Sequence, residues 1–344
     1  MKKRLFVSLA AAGLFVVLST VRAATITEDF STNPLSRGWQ VFGDTSLFRW
    51  NESNQNLDVT WDSTHSNSYF CHPLNVTLTR YDDFTLEFDL RLSDIASGVE
   101  PGKTGPLQIG TGLLNLAAAT STNFMRGAWG AAPNMAEFAY YTSGYYDYGG
   151  FIYPSPASTV PSFIPGTEPH HYAPVFVSVF ETELPPNQTV HVQLAYSGGA
   201  QTAVLSVTAN GLPLGQLAPL VLSDAANSQF SPTDTFRVDT VSISSYSSAG
   251  DDYDSVLAHG SVDNLTVITQ LQPITRLTGG PATNGLWQAQ FFAHSNWRYS
   301  LECSSDLDQW TRVTDVVPGS DGFMTLQDAT LPSGRAFYRV HAQP

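Results

Sequence analysis

The sequence predicts a nearly all-β chain, in which a large β-sandwich is followed by a small β-sandwich module. Three observations predict this class. Apolar and polar residues alternate along many short segments, which is typical of half-buried strands. Turn-forming residues are abundant, with 26 Gly and 21 Pro, and aromatic residues are numerous, with 20 Phe, 14 Tyr and 7 Trp. Aromatic residues favour strands, and Gly and Pro separate them.

The first 23 residues have the pattern of a secretory signal peptide. Basic residues at positions 2–4 precede an apolar run over 5–18, and the segment closes on Ala23. The run is shorter than the roughly 20 residues of a membrane helix. We therefore expect a protein without a membrane span that is secreted, periplasmic or bound to the cell surface. Cleavage removes four basic and no acidic side chains, which changes the formal charge from −14 to −18. Such a charge disfavours nucleic acid as a partner.

Residues 24–270 are predicted to form the large sandwich. Residues 84–92 read Phe-Thr-Leu-Glu-Phe-Asp-Leu-Arg-Leu, which places five apolar side chains on one face and four polar ones on the other. Similar runs cover 57–61, 175–180, 190–196, 203–208, 235–244 and 262–268. Asn210-Gly211 between two of these segments is typical of a hairpin turn.

Residues 271–283 are predicted to be a linker, because Pro273 and Gly279-Gly-Pro281 interrupt the strand pattern there. Residues 284–344 are predicted to form the small module. Five candidate strands lie in it, at 286–293, 297–302, 310–317, 323–328 and 336–341. Cys71 and Cys303 fall on either side of this boundary in strand-like segments, and we expect both to be free thiols.

The small module resembles an immunoglobulin-like or fibronectin type III-like unit at the C-terminus of secreted bacterial proteins. The resemblance is carried by Tyr299-Ser-Leu-Glu-Cys-Ser-Ser-Asp-Leu-Asp-Gln-Trp310, by Phe323 and Asp328, and by Ala336-Phe-Tyr-Arg-Val340. It covers about a fifth of the chain. It implies an accessory or surface module and no catalytic activity.

The large domain is similar to the concanavalin A-like lectin/glucanase and laminin G-like superfamily of jelly rolls. The cues are Ile26-Thr-Glu-Asp-Phe30 with Trp39, the strand 84–92, and Ser261-Val-Asp-Asn-Leu-Thr-Val267. The resemblance implies a jelly-roll sandwich whose first and last strands pair, which would bring Asp29 and Asp263 together. Lectins, polysaccharide-cleaving enzymes and adhesion modules all have this fold, so the fold alone does not identify the function.

The resemblance also suggests a test for catalysis. Glucanases of this fold carry Glu-x-Asp-x-x-Glu on one strand, and this chain offers Glu87 and Asp89 but has Leu92 in place of the second glutamate. A retaining mechanism needs two carboxyl groups about 5 Å apart. The motif is therefore incomplete, Glu87 and Asp89 are interpreted as a charged solvent face, and no catalytic residue is predicted.

A structural calcium ion is the one cofactor that the sequence suggests. Asp29 and Asp263 would supply carboxylate oxygens, which hard cations prefer. The alternative is that both aspartates hydrogen-bond the ends of their strands, because the acidic residues here do not have the spacing of a defined calcium loop.

An aromatic stretch at 138–153 is the candidate binding site. Sugars stack on exposed rings through their C–H faces and hydrogen-bond to polar side chains. The predicted platform consists of Trp129, Tyr140, Tyr141, Tyr145, Tyr146, Asp147 and Tyr148. The alternative is that these rings are ordinary sandwich core and loop residues.

Three functions follow from these observations. The first is a secreted, non-catalytic protein that binds a polysaccharide or glycan. The second is an extracellular structural or adhesive protein with cell-surface protein partners. The third is a hydrolase or lyase that acts on polysaccharides at an unrecognised site. We expect the first.

Overall fold

The computed structural model describes residues 13–16, 22–122, 124, 134–140, 150–155, 184–198, 202–210, 212–213, 220–223, 236–250, 252–330 and 335–344. The prediction of an all-β sandwich protein is confirmed. The chain divides into a large unit, Ala23–Gln270, and a small unit that contains Leu271–Pro344 and the N-terminal strand. Among the described helices, none is long and apolar enough to cross a membrane.

The strands are numbered in chain order. The first twelve are β1 (Gly13–Val16), β2 (Arg22–Glu28), β3 (Gln40–Phe42), β4 (Phe48–Asn51), β5 (Asn56–Asp62), β6 (Ser68–Leu78), β7 (Asp83–Ser97), β8 (Gly105–Pro106), β9 (Ile109–Leu114), β10 (Met135–Tyr140), β11 (Gly150–Ser155) and β12 (Thr189–Ser197). The remaining strands are β13 (Thr202–Ala209), β14 (Leu212–Pro213), β15 (Leu220–Ser223), β16 (Val238–Ser245), β17 (Asp254–Leu271), β18 (Ile274–Pro281), β19 (Trp287–Ala293), β20 (Arg298–Ser304), β21 (Thr311–Arg312), β22 (Val317–Pro318), β23 (Gly322–Gln327) and β24 (Phe337–Gln343). The described helical turns are the 3₁₀ segments Pro34–Arg37 and Thr45–Leu47 and the helix α1 (Leu116–Ala119).

Two sheets form the large unit. Among the described strands, one sheet has six in the order β11-β10-β9-β16-β6-β3. The other has ten, with the main order β14-β13-β12-β7-β17-β5-β4 and with β15, β2 and β8 paired to its members. We call them the six-stranded sheet and the ten-stranded sheet. The predicted hairpin at Asn210 is present, because Ala209 pairs with Leu212 and Asn210 has a φ of 51°.

The core of the large unit lies between these sheets. In β7 the five apolar side chains predicted to share a face are all buried, with exposed fractions of 0–3%. Across the sandwich, the rings of Phe88 in β7 and Phe138 in β10 approach edge to face at 6.0 Å. Aromatic pairs of this geometry add stability beyond the apolar area they bury. Alternation along β7 therefore orients the ten-stranded sheet, with its polar face directed outward.

The first and last strands of the large unit pair, as the resemblance implied: β2 lies beside β17. β17 also pairs with β5 and β7 as an antiparallel strand and with β8 as a parallel one. The last strand is therefore central to the ten-stranded sheet.

The small unit has its own core between a sheet of order β18-β19-β23 and a sheet of order β1-β24-β20-β21. The rings of Trp287 and Tyr338 stack in this core at 4.0 Å. The structure differs from the prediction of a linker at 271–283, because residues 274–281 form β18, which pairs with β19. β18 is an edge strand, where Gly and Pro are tolerated because one side of the strand needs no partner.

The residues that carry the resemblance of the small module make structural contacts. Asp328 accepts hydrogen bonds from the Thr330 backbone and hydroxyl and, at 3.0 Å, from the Tyr338 hydroxyl. Arg339 donates to Glu302 at 2.6 Å and lies over the Trp310 ring at 4.3 Å. These residues therefore stabilise the small unit through hydrogen bonds, an ion pair and a cation–π contact.

Both cysteines are free, as predicted. Cys71 is fully buried in β6, and this burial raises the pKa of its thiol to about 11. Burial also raises the pKa of Cys303, which is partly exposed. A thiol with a raised pKa is a poor nucleophile at neutral pH.

Candidate functional site

The six-stranded sheet is buried on both faces at its centre. Every residue of β9 and β10 is buried. Phe138 of β10 faces the sandwich core, so the residue before it in the strand, Glu137, points to the opposite, outer face. Glu137 is nevertheless only 1% exposed. The outer face of this sheet therefore holds a carboxylate in an enclosed position.

Glycines in the neighbouring strand make room for this carboxylate. Gly112 is the register partner of Glu137, and Gly110 lies two residues away on the same face. A Cβ atom added to Gly112 would lie 2.1 Å from the Cβ of Glu137, and one added to Gly110 would lie 2.9 Å from its Oε2. The Glu137 side chain thus lies directly over β9, where any larger residue would displace it.

Three hydroxyl groups lie on the same face of the sheet as the carboxylate. Tyr246 donates a hydrogen bond to Oε2 of Glu137 at 2.6 Å. Ser242 and Ser244 of β16 are the register partners of Gly112 and Gly110, and their hydroxyls lie 2.9 Å apart. All of these side chains are fully buried. We call the set Glu137, Gly110, Gly112, Ser242, Ser244 and Tyr246 the Glu137 site.

The chemistry of this site is that of a buried polar cluster beside small residues. Buried hydroxyls and carboxylates are stable only when hydrogen-bonded, and a tyrosine hydroxyl held at 2.6 Å is a strong, charge-assisted donor. Elsewhere in the described strands of this sheet, the only other acid is Asp239. Asp239 accepts hydrogen bonds from Asn115 and from the backbone of Leu116 at the start of α1. The carboxylates of Glu137 and Asp239 are therefore each held by hydrogen bonds from neighbouring groups.

The predicted aromatic platform needs correction at Tyr140. This residue lies in β10 and is 2% exposed, and its hydroxyl accepts a hydrogen bond from the backbone of Leu184 at 3.1 Å. It faces the core side of the sheet, like Phe138, and its ring is not available for stacking. The other predicted members lie outside the described residues: Trp129, Tyr141, Tyr145, Tyr146, Asp147 and Tyr148. Their segment connects Tyr140 to Gly150, which are register partners in β10 and β11.

Glu87 and Asp89 lie on the outward face of β7, as predicted from alternation. Asp89 hydrogen-bonds to the His191 imidazole and accepts from the Asn264 amide, both at 2.8 Å. Glu87 accepts from the Gln193 amide at 2.6 Å. Each carboxylate is therefore paired with side chains of adjacent strands and belongs to a polar surface.

Asp29 and Asp263 lie close enough for their charges to interact. Burial, together with the charges of Asp89 and Asp29, raises the pKa of Asp263. The Asp29 carboxylate accepts hydrogen bonds from the Ser31 backbone at 3.0 Å and from its hydroxyl at 2.8 Å, which lower the pKa of Asp29. In the part of the chain that the structure describes, no group of three or more His, Cys, Asp or Glu side chains could hold a metal ion. The hydrogen bonds of Asp29 thus fit the alternative role as a strand end.

A concave surface lies on the outward face of the ten-stranded sheet. It is an open depression of about 280 Å³ lined by Asp83, Phe84, Thr85, Ala195, Tyr196, Ser197, Ile268 and Gln270. The depression forms because the side chain of Ala195 is smaller than those of its neighbours. Its volume is just below the range of roughly 300–1,000 Å³ that small-molecule sites occupy.

No family model matches this chain. No curated protein matches it either. Among solved structures, it is similar to the winged bean acidic lectin complexed with methyl-alpha-D-galactose, at 10% identity over 73% of this chain and 100% of the lectin, with a TM-score of 0.40. It is also similar to an endo-1,3-beta-glucanase from Streptomyces sioyaensis (10% identity, 73% and 97% coverage, TM-score 0.41) and to peanut lectin (12%, 73% and 100%, 0.37).

Proposed function

We propose that this protein binds a neutral carbohydrate at the Glu137 site and does so outside the cytoplasm. The observation that carries the proposal is the enclosed carboxylate of Glu137, held by the Tyr246 hydroxyl at 2.6 Å over a floor of two glycines. A buried carboxylate needs hydrogen-bond donors, and Tyr246 is one of them. The grouping of this carboxylate with two glycines and two serines on one face supports a polar binding site there.

The groups of the site match the hydrogen-bonding needs of a sugar. A sugar hydroxyl donates and accepts at once, so it pairs well with a carboxylate acceptor and with serine hydroxyls that can do either. The rings of Tyr246 and Tyr69 meet edge to face at 6.1 Å and are as buried as that of Tyr140, so they form an apolar wall beside the polar groups and not a stacking surface. Glycan binding is therefore the function that this chemistry favours.

The negative charge of the protein indicates which class of carbohydrate it would bind. Glu137 is an acid, and the whole chain has a formal charge of −14. A sulfated or uronic acid polymer would bring anions next to Glu137 in a region of low dielectric, where like charges repel strongly. The ligand is therefore a polysaccharide or glycan without anionic groups.

The binding test uses residues 24–344 on a glycan array that contains neutral and anionic polymers, followed by calorimetry on the best neutral ligand. Glu137→Gln keeps the shape of the side chain and removes its charge, and Tyr246→Phe removes only the donor. We expect each variant to weaken binding by about tenfold or more, which is the value of one hydrogen bond to a charged group. Glu87→Gln, on the outward face of β7, is the matched control and should bind normally.

Three outcomes would contradict the proposal. Unchanged binding by Glu137→Gln together with loss in Ile268→Glu would move the site to the depression on the ten-stranded sheet. Absence of binding to every glycan by a folded protein would leave the adhesive or structural role. Release of reducing ends from a bound polymer would identify a hydrolase. Export is tested separately by N-terminal sequencing of the protein from the culture medium or periplasm, with Ala24 expected as the first residue.

A further inference from the structure

The outer edge of β24 is covered by a segment from the opposite end of the chain. In the small unit, β24 lies between β20 and β1. β1 pairs with it in parallel, from Gly13 opposite Phe337 to Val16 opposite Val340. Residues 13–16 belong to the predicted signal peptide. If that peptide is removed, this edge of β24 loses its only partner among the described strands.

β24 is a long, regular strand to which another strand could pair. It has seven residues, and its register with β20 runs without a shift from Ser304 opposite Phe337 to Arg298 opposite Gln343. Its buried side chains Phe337, Tyr338, Val340 and Ala342 fix it to the core. A strand held in this way presents its backbone N–H and C=O groups in a straight row.

The usual protections of an edge strand are weak in β24. No proline or bulge interrupts it. Its one permanently charged residue, Arg339, is engaged on the face of the sheet by Glu302 at 2.6 Å and by the ring of Trp310 at 4.3 Å. His341 also lies toward Glu302, at 3.9 Å. The charged side chains of β24 therefore interact with Glu302 and Trp310, and they do not hinder the pairing of another strand at its edge.

We propose that the mature small unit binds an extended, uncharged, apolar segment of a partner protein by adding it as a parallel strand to β24. The occupant is defined by the segment that pairs there, Gly13-Leu-Phe-Val16, which is apolar and parallel. Main-chain hydrogen bonds provide the affinity in this mode of recognition, and alternate side chains provide the specificity. The proposal rests on removal of residues 1–23 and is independent of carbohydrate binding.

The probe is a fluorescent peptide with the sequence of residues 11–18 and lysine tails for solubility, titrated into residues 24–344. We expect saturable binding, together with slower hydrogen exchange of the amides of Phe337–Val340. A peptide with proline at each of positions 13–16 lacks the backbone donors on both edges of the strand, whichever alternate set faces β24, and should bind about thirtyfold more weakly. The chain 1–344, in which β1 covers the edge, should not bind the peptide.

Each alternative result overturns the proposal. Equal binding of the proline peptide would mean that the interaction is not strand addition. Protection of amides outside β24 would place the peptide elsewhere. Dimers of residues 24–344 that form through β24 and that the peptide does not dissociate would identify a second copy as the occupant. Normal glycan binding in any of these cases would leave the proposed function intact.

Discussion

The hydrogen bond between Tyr246 and Glu137 provides the most direct test of how the Glu137 site is built. Tyr246→Phe removes the hydroxyl that donates to Oε2 at 2.6 Å and leaves a carboxylate that is 1% exposed with one donor fewer. Hydrogen bonds to charged groups contribute roughly 1.5–3 kcal/mol, so we expect the variant to lose about 2 kcal/mol of unfolding free energy. Tyr69→Phe, in the same unit, removes a bond to the neutral carbonyl of Ala119 at 3.1 Å and should lose about 1 kcal/mol.

A double-mutant cycle separates this pair from general effects on packing. Glu137→Met removes the carboxylate while keeping an unbranched side chain, and Tyr246→Phe in that background leaves no charged acceptor unsatisfied. The two losses should therefore overlap, with a coupling energy of about 2 kcal/mol in urea unfolding followed by circular dichroism. A coupling energy below about 0.5 kcal/mol, or equal losses for Tyr246→Phe and Tyr69→Phe, would refute the reasoning.

Two predictions concern the small unit. A Cβ atom on Gly319 would lie 2.0 Å from the backbone oxygen of His294, so Gly319→Ala should lower the free energy of unfolding by about 1–3 kcal/mol and with it the denaturant midpoint. A Cβ atom on Gly280 meets nothing within 4 Å, so Gly280→Ala should leave the midpoint unchanged or raise it. Equal midpoints for the two variants would contradict this close approach. Burial alone would raise the pKa of Asp321, but His294 and the hydrogen bonds from Ser295 lower it to about 2. Because the folded pKa lies below the ordinary value of 3.8, the stabilisation of about 2 kcal/mol is complete above pH 5 and is lost as the pH falls through 4 toward 2. Melting temperatures measured from pH 7 to pH 2 should fall less steeply for Asp321→Asn, and parallel curves would contradict the shift.

The sequence alone predicts much of the fold because period-two alternation survives in its strands. Residues 84–92 show which side chains face the core, and the structure places them as β7 with that face buried. Residues 274–281 were predicted to lie in a linker but form β18, because Gly and Pro occur in turns and in edge strands alike. Whether such a segment pairs depends on a neighbouring strand, β19, which the local sequence does not identify.

The Glu137 site could not be predicted for a related reason. Glu137 occurs as a lone acid in the apolar segment Met-Ala-Glu-Phe-Ala-Tyr, which is the one local signal that a buried carboxylate leaves in a sequence. Its neighbours come from β9 and β16, and Tyr246 lies 109 residues further along the chain. Conversely, the aromatic content around Tyr140 suggested a stacking surface, whereas its position on the core side of β10 buries the ring.

The central position of β17 has a consequence for how the chain acquires its structure. Residues 254–271 pair with β2, β5, β7 and β8, yet they are the last strand of the large unit to be synthesised. A nascent chain that ends before residue 254 lacks the middle of the ten-stranded sheet, so the earlier strands have no complete set of partners and the contacts that close the sheet span the whole domain. Such long-range pairing is slow. The large unit therefore stays open until its final strand emerges, and such a delay is compatible with the export proposed for this chain, in which the polypeptide would cross a membrane before it folds.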